Sequence, residues 1–279
     1  MALRAAPKDQ ASDHVSLGIQ SRESTTVKRI ARNADSTSRD MIIDIDNLKL
    51  VYVAVCRISQ GWFDPVEMYA SLKADGKTNS SGFWGIATHM LADMSGYLGC
   101  TSAQFSDKWD QRCSDNDTRM MGYHCTRHSE MQVFVEKGIL PLSEEIIRLS
   151  EDQAQTIKGK SMWEYRLQKS PGPFFLLSYK CARSPEKHSF FRGPEILFTC
   201  TGHHIDVNPV RSVPLIIHCA IPYPLLSERD YLAFCVLRAY FNFLYPEDRM
   251  DFDGYSIDLK GKRLDPQHIV RIEGIRDII

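Results

Sequence analysis

Between residues 43 and 114 the apolar positions recur every three or four residues, the spacing of helices that bury one face. Leu48, Val51, Tyr52 and Val55 share such a face behind Asp46 or Asn47, either of which suits the cap of a helix. Asp64-Pro65 opens a second helix through Val66, Tyr69 and Ala70, with proline in the first turn, where its missing N–H is no loss. A third helix is predicted over 83–98, and a fourth starts at Thr101 or Ser102 and runs through Phe105 and Trp109. The Trp and Met positions in this stretch read as core, because they fall on the apolar stripes.

After about residue 119 the pattern changes. Short runs rich in β-branched and aromatic residues at 120–125, 174–179, 196–201, 214–221, 255–259 and 269–272 read as strands. Helices are expected between them at about 129–138, about 143–158 and 227–245. The strands are too unevenly separated for a doubly wound parallel sheet, and neither G-x-G-x-x-G nor a Walker loop occurs. The expectation is therefore an α+β fold: a mixed-sheet C-terminal domain over 119–279, preceded by a small helical region at 41–118. Residues 1–40 carry few large apolar groups, too few to offset the entropy of ordering, and read as a disordered arm.

Composition narrows the setting. An apolar share of 43% over 279 residues suffices for a sizeable core. A formal net charge of -1 argues against an extended nucleic-acid surface, which needs a basic excess. The eight cysteines are scattered, mostly inside apolar runs such as 55–56 and 234–236, which suits reduced core thiols rather than a disulfide framework. No apolar run approaches the roughly 20 residues of a membrane span, and no secretory leader pattern is visible, so a soluble cytoplasmic protein is expected.

The chemistry concentrates in one segment. Gly122-Tyr123-His124-Cys125-Thr126-Arg127 closes a predicted strand, and a helix follows with Ser129 as its N-cap and Gly138 as its terminal glycine. Ile139-Leu140-Pro141 comes directly behind. This order of strand, His-x-Thr, short helix and Gly-Ile-Leu-Pro resembles the opening unit of the ADP-ribosyltransferase superfamily. The likeness continues through Gly193-Pro194-Glu195-Ile196, the strand at 214–222 and the closing Leu264-Asp265-Pro266-Gln267, and covers about 119–279. It implies that His124 binds the ribose of NAD, that Thr126 steadies the same strand end, and that NAD is the substrate. Many members carry a tyrosine in the second motif and a glutamate on a late strand. Here Glu195 is the best-framed acid although it falls at the second motif, and Asp253 and Asp258 lie nearer the late position.

Cleaving the nicotinamide–ribose bond passes through an oxocarbenium-like transition state, so a carboxylate, an aromatic platform and a phosphate clamp are needed. Glu195 is the candidate for stabilising the developing charge. Tyr123, Tyr165, Phe174, Phe175, Phe190 and Phe191 are the local aromatic supply, and Arg166 or Arg192 suits the pyrophosphate as a bidentate donor. The implied activity is ADP-ribosyl transfer to a protein or nucleic-acid acceptor, as in a toxin or effector, or NAD hydrolysis. The competing reading is a non-catalytic binding or interaction protein that keeps the fold. His and Cys also cluster at Cys113, His124, Cys125, His128, Cys200, His203, His204, His218 and Cys219, but their spacing does not match paired zinc ligands. Cys125 beside His124 is a weaker candidate for a thiol nucleophile.

Overall fold

The computed structural model describes residues 41–79, 87–128, 130–143, 164–165, 167–169, 171–184, 213–248 and 256–275, all within one compact unit, Ser38–Ile279. The expected arm at 1–40, the strand at 196–201 and the helix at about 143–158 lie outside the described residues. The fold is α+β, as the pattern predicts.

Four helices form where the apolar spacing places them, and side chains fix the starts of three of them. Helix α1 (Leu48–Ser59) begins at Asn47, whose side chain accepts the Leu50 N–H, and buries Val51, Tyr52, Ala54, Val55 and Ile58. Helix α2 (Pro65–Ala74) begins at Asp64, which accepts the Val66 and Glu67 amides at 2.8 and 3.2 Å. Helix α3 covers Ala87–Tyr97. Helix α4 (Ser102–Asp115) starts from a capping box in which Thr101 and Gln104 exchange hydrogen bonds. A short helix α5 (Gln132–Lys137) starts three residues beyond Ser129, with Met131 in the cap position and no side-chain cap bond. Gly138 ends it at φ 71°, where an added Cβ would lie 2.1 Å from the Leu264 carbonyl oxygen, so only glycine fits. Helices α6 (Tyr179–Arg183) and α7 (Arg229–Leu244) follow further along the chain.

Helix α7 is buried continuously from Leu232 to Asn242, and the N-terminal helices pack on it. Tyr52 stacks on Tyr240 with centroids 5.7 Å apart, and Tyr69 stacks on Phe241 at 4.5 Å and on Tyr245 at 4.3 Å. The helical region at 41–118 therefore shares its core with the sheet-bearing region instead of closing one of its own. Its first residues even join the sheet.

Among the described residues the sheet has six strands: β1 (Met41–Ile43), β2 (Thr118–His128), β3 (Phe174–Leu176), β4 (Val213–Pro222), β5 (Ser256–Asp258) and β6 (Ile269–Gly274). Five run antiparallel in the order β5-β3-β2-β4-β6, and β1 adds to β2 in parallel through Met41↔Thr118. Strand β1 escapes the sequence pattern because three residues are too few to show a period. Strands β2 and β4 form the spine, paired from Arg119↔Pro222 to His128↔Val213. The expected strand at 174–179 stops at Leu176, because Ser178 caps α6 by accepting the Cys181 amide.

Candidate functional site

Alternation along β2 decides where its polar residues go. Successive side chains of a strand point to opposite faces, so His124 and Thr126 share one face and Tyr123 and Cys125 the other. On the first face the His124 ring packs 5.5 Å from Phe175, and its Nδ1 lies 2.8 Å from the Phe174 carbonyl of the neighbouring strand. A carbonyl only accepts, so Nδ1 donates its proton to that bond. Thr126 is half-buried and sits opposite Leu215 in the β2–β4 register. Behind the strand, Ile139 and Leu264 exchange backbone hydrogen bonds at 2.9 Å, fixing the Gly138 turn.

On the other face Tyr123 is buried at 4% exposure within a cluster of Cys125, Ala182, Ile216 and Ile275. The strand pairing sets His218 of β4 beside Tyr123, and Arg271 of β6 beside His218. Helix α6 lays Tyr179 over them. The three rings of Tyr123, Tyr179 and His218 lie within 5.1–5.5 Å of one another, centroid to centroid. Glu273 of β6 gathers the polar tips of Tyr179 and His218. The Tyr179 hydroxyl donates to its carboxylate at 2.8 and 3.0 Å, His218 Nε2 donates at 3.1 Å, and Arg271 pairs with the same carboxylate. The Arg183 guanidinium rests over the Tyr179 ring, 5.8 Å from its centroid. Tyr123 donates to Asp44 at 3.3 Å. Asp46 caps α6 from the loop after β1, accepting the amides of Tyr179 at 2.6 Å and Lys180 at 3.2 Å and the Ser178 hydroxyl at 3.0 Å.

These contacts shift the titrating groups in different directions. Burial alone would raise the Glu273 carboxyl, but hydrogen bonds from Tyr179, His218 and Arg271 outweigh it and hold the group below its usual range, ionised. Burial lowers His218, and the Arg271 charge adds to this, against the opposing pull of Glu273. The His218–Glu273 contact is therefore a neutral imidazole N–H donating to a carboxylate at neutral pH. Burial, then the Glu273 contact, raises Tyr179, and burial followed by the charges of Asp44 and Asp46 raises Tyr123. Burial also raises Asp44, with the Asp46 charge adding to it and the Asp46 amide opposing it.

The sequence candidates thus divide. His124 and Thr126 lie together, and Tyr123 lies behind them on the opposite face. Glu195, Arg166, Arg192, Asp253, Phe190 and Phe191 fall outside the described residues. Asp258 is buried at 6% exposure, and its carboxylate accepts the Lys260 amide at 2.7 Å within a turn. Phe175 is core at 1% exposure. Tyr165 is exposed. Cys125 is buried, its thiol 4.0 Å from the Ala182 carbonyl. Among the described residues no three His, Cys, Asp or Glu side chains converge as metal ligands, and Cys200, His203 and His204 fall outside them. A hollow of about 600 Å³ lined by Glu228, Arg229, Asp230, Tyr231 and Ser256 opens at the start of α7.

Sequence reasoning missed Asp44, Tyr179, Arg271 and Glu273, read Asp46 only as one of two possible caps for α1, and read His218 only as a possible metal ligand. One signal was available: Arg271 and Glu273 are the charged alternate positions of an apolar strand, the mark of a face that meets something polar. No family model, curated protein or solved structure matches the chain.

Proposed function

We propose that the protein is an ADP-ribosyltransferase-like enzyme that cleaves the nicotinamide–ribose bond of NAD and passes the ADP-ribosyl group to a macromolecular acceptor or to water. The observation that carries this reading is the placement of His124 on the His-x-Thr strand, its ring anchored to the Phe174 carbonyl of the neighbouring strand. Nδ1 donates to the Phe174 carbonyl, which fixes the half-buried ring beside Phe175 in one orientation for meeting the ribose. The supporting frame is the His-x-Thr strand in the middle of the sheet, followed by α5 and the glycine-locked turn at Gly138. The chain's own contribution at this step is positioning: a ring held in one orientation before the substrate arrives.

A toxin or effector acting in the cytoplasm fits this chemistry. The seven described cysteines are free thiols, as a reducing compartment requires, and no helix among the described residues is long and apolar enough to cross a membrane. The test is a thermal-shift titration with NAD on the wild type and His124→Ala, read beside nicotinamide release. At about 100 times its dissociation constant a ligand stabilises a fold by roughly 2.7 kcal/mol. An upward shift in the wild type that is lost in the variant, with nicotinamide released, is the expected result. A shift without release favours the non-catalytic binding protein, and no shift removes NAD as the ligand.

A further inference from the structure

Strand β2 carries a second histidine on the His124 face. The β2–β4 pairing runs without interruption from Arg119↔Pro222 to His128↔Val213, so His124, Thr126 and His128 alternate onto one side of the sheet. The His128 ring is half-buried and held at two points. Phe134 of α5 meets it edge to face, with centroids 5.4 Å apart and planes at 73°. The Glu130 amide donates to its Nδ1 at 2.9 Å. A backbone N–H only donates, so Nδ1 is the unprotonated nitrogen. An imidazole keeps at least one N–H, so Nε2 carries it and is a donor. That donor meets no acceptor among the described residues. Val213, opposite His128 on β4, is 40% exposed, so this end of the strand is open on the His124 side.

A fixed donor whose hydrogen is unclaimed suits a ligand atom that only accepts. Ionised phosphate oxygens are such atoms, and a hydrogen bond to a charged group is roughly twice as strong as a neutral one. We infer that His128 is a positioning residue for the pyrophosphate of NAD, which lies along β2 with one ribose at His124. This rests on the NAD reading above and deepens it. His124 and His128 are four residues apart, about 14 Å along the strand. A ribose and the far phosphate of one dinucleotide, with a hydrogen bond at each end, cover that span. The contact is a neutral N–H on a charged oxygen, made by a ring that the Glu130 amide and Phe134 hold in place before substrate arrives. No bond is made or broken at His128, whose part is binding and alignment.

The experiment reads nicotinamide release from NAD and from nicotinamide riboside, which has no phosphates, in the full-length wild type, His128→Asn and His128→Gln. Asparagine sets an acceptor oxygen where Nδ1 stands, so it keeps the Glu130 amide bond and loses the Nε2 donor. Glutamine reaches the Nε2 position with an N–H and gives up the amide bond. His128→Asn is expected to raise KM for NAD about 10-fold with kcat within about twofold, the scale of one hydrogen bond to a charged group. Its KM for nicotinamide riboside is expected to stay at the wild-type value. His128→Gln is expected to recover most of the NAD affinity, which a purely structural role of the ring would not allow. An unchanged KM for NAD in His128→Asn, an equal rise for both substrates, or a His128→Gln no better than His128→Asn overturns the assignment and leaves NAD as the substrate. If His128→Asn does not fold, His128→Gln decides: a KM for NAD near the wild-type value supports the assignment, and a rise of about 10-fold overturns it. Where the wild type binds NAD without turnover, dissociation constants from thermal-shift titration take the place of KM. A wild type that is neither stabilised by NAD nor releases nicotinamide overturns the assignment and the NAD reading together.

Discussion

Two regions of this molecule are held by opposite means. Where α7 meets α1 and α2, the contact is dry and aromatic: Tyr52 on Tyr240, and Tyr69 between Phe241 and Tyr245, with centroids 4.3–5.7 Å apart. On the Tyr123 face of the sheet the contact is polar and directional, with Glu273, Asp46 and Asp44 collecting donors from α6, β2 and β4. The aromatic seam draws on apolar area, which tolerates small shifts and scales with what leaves water. The polar network draws on donor-acceptor geometry, in which a displaced partner leaves a half-buried group unpaired. The first region is suited to holding the fold, and the second to holding a few atoms in place.

The sharpest way to separate them is to damage each. Phe241→Ala empties a fully buried site in the seam, and a loss of about 3–5 kcal/mol is expected in urea unfolding. Asp46→Ala strips the cap from α6 and is expected to cost less, about 1–3 kcal/mol, because water reaches part of the freed surface. Amide exchange should show where that loss falls. Tyr179 and Lys180 should exchange faster, while the α7 amides keep their protection in Asp46→Ala and lose it in Phe241→Ala.

A smaller effect sharpens the comparison further, because the polar face carries a histidine whose proton binding changes on folding. His218 is held below its ordinary value of 6.5, so the folded protein binds that proton less readily than the unfolded chain. The corresponding stability is complete above pH 6.5 and declines as pH falls below it. His218→Gln should flatten this slope, leaving the part due to His268, which burial also lowers. Glu273 has the opposite sign of charge and a depressed value, so its share is present above its ordinary 4.5 and disappears as pH falls below that. Phe241→Ala should lower the whole curve of stability against pH without changing these slopes. A seam variant that alters the slope below pH 6.5 would mean that the two regions are coupled.

Much of the fold was legible before any coordinates. The helix starts at Asn47, Asp64 and Thr101 are local events, since a capping side chain reaches amides only two or three residues ahead. The terminal glycine at Gly138 and the strands at the spine of the sheet announce themselves in the same short-range way, through turn chemistry and a period of two. The site was only half legible. His124 and Thr126 stand in one motif, and the residue spacing by itself places them on one face of a strand. That same spacing puts Tyr123 on the opposite face, where grouping it with His124 by adjacency misled.

Only the tertiary structure decided what Tyr123 meets. Asp44, Tyr123, Tyr179, His218 and Glu273 come from five segments, and the Tyr179–Glu273 contact spans 94 residues of chain. No local pattern encodes such a meeting, because it depends on strand order, on the β4–β6 register that sets Arg271 beside His218, and on a helix capped from a distant loop. The residue types and periods fixed the elements, since caps and alternation act over a few residues. The pairing of those elements fixed the site, since hydrogen bonds between distant residues exist only once the sheet has brought them within reach.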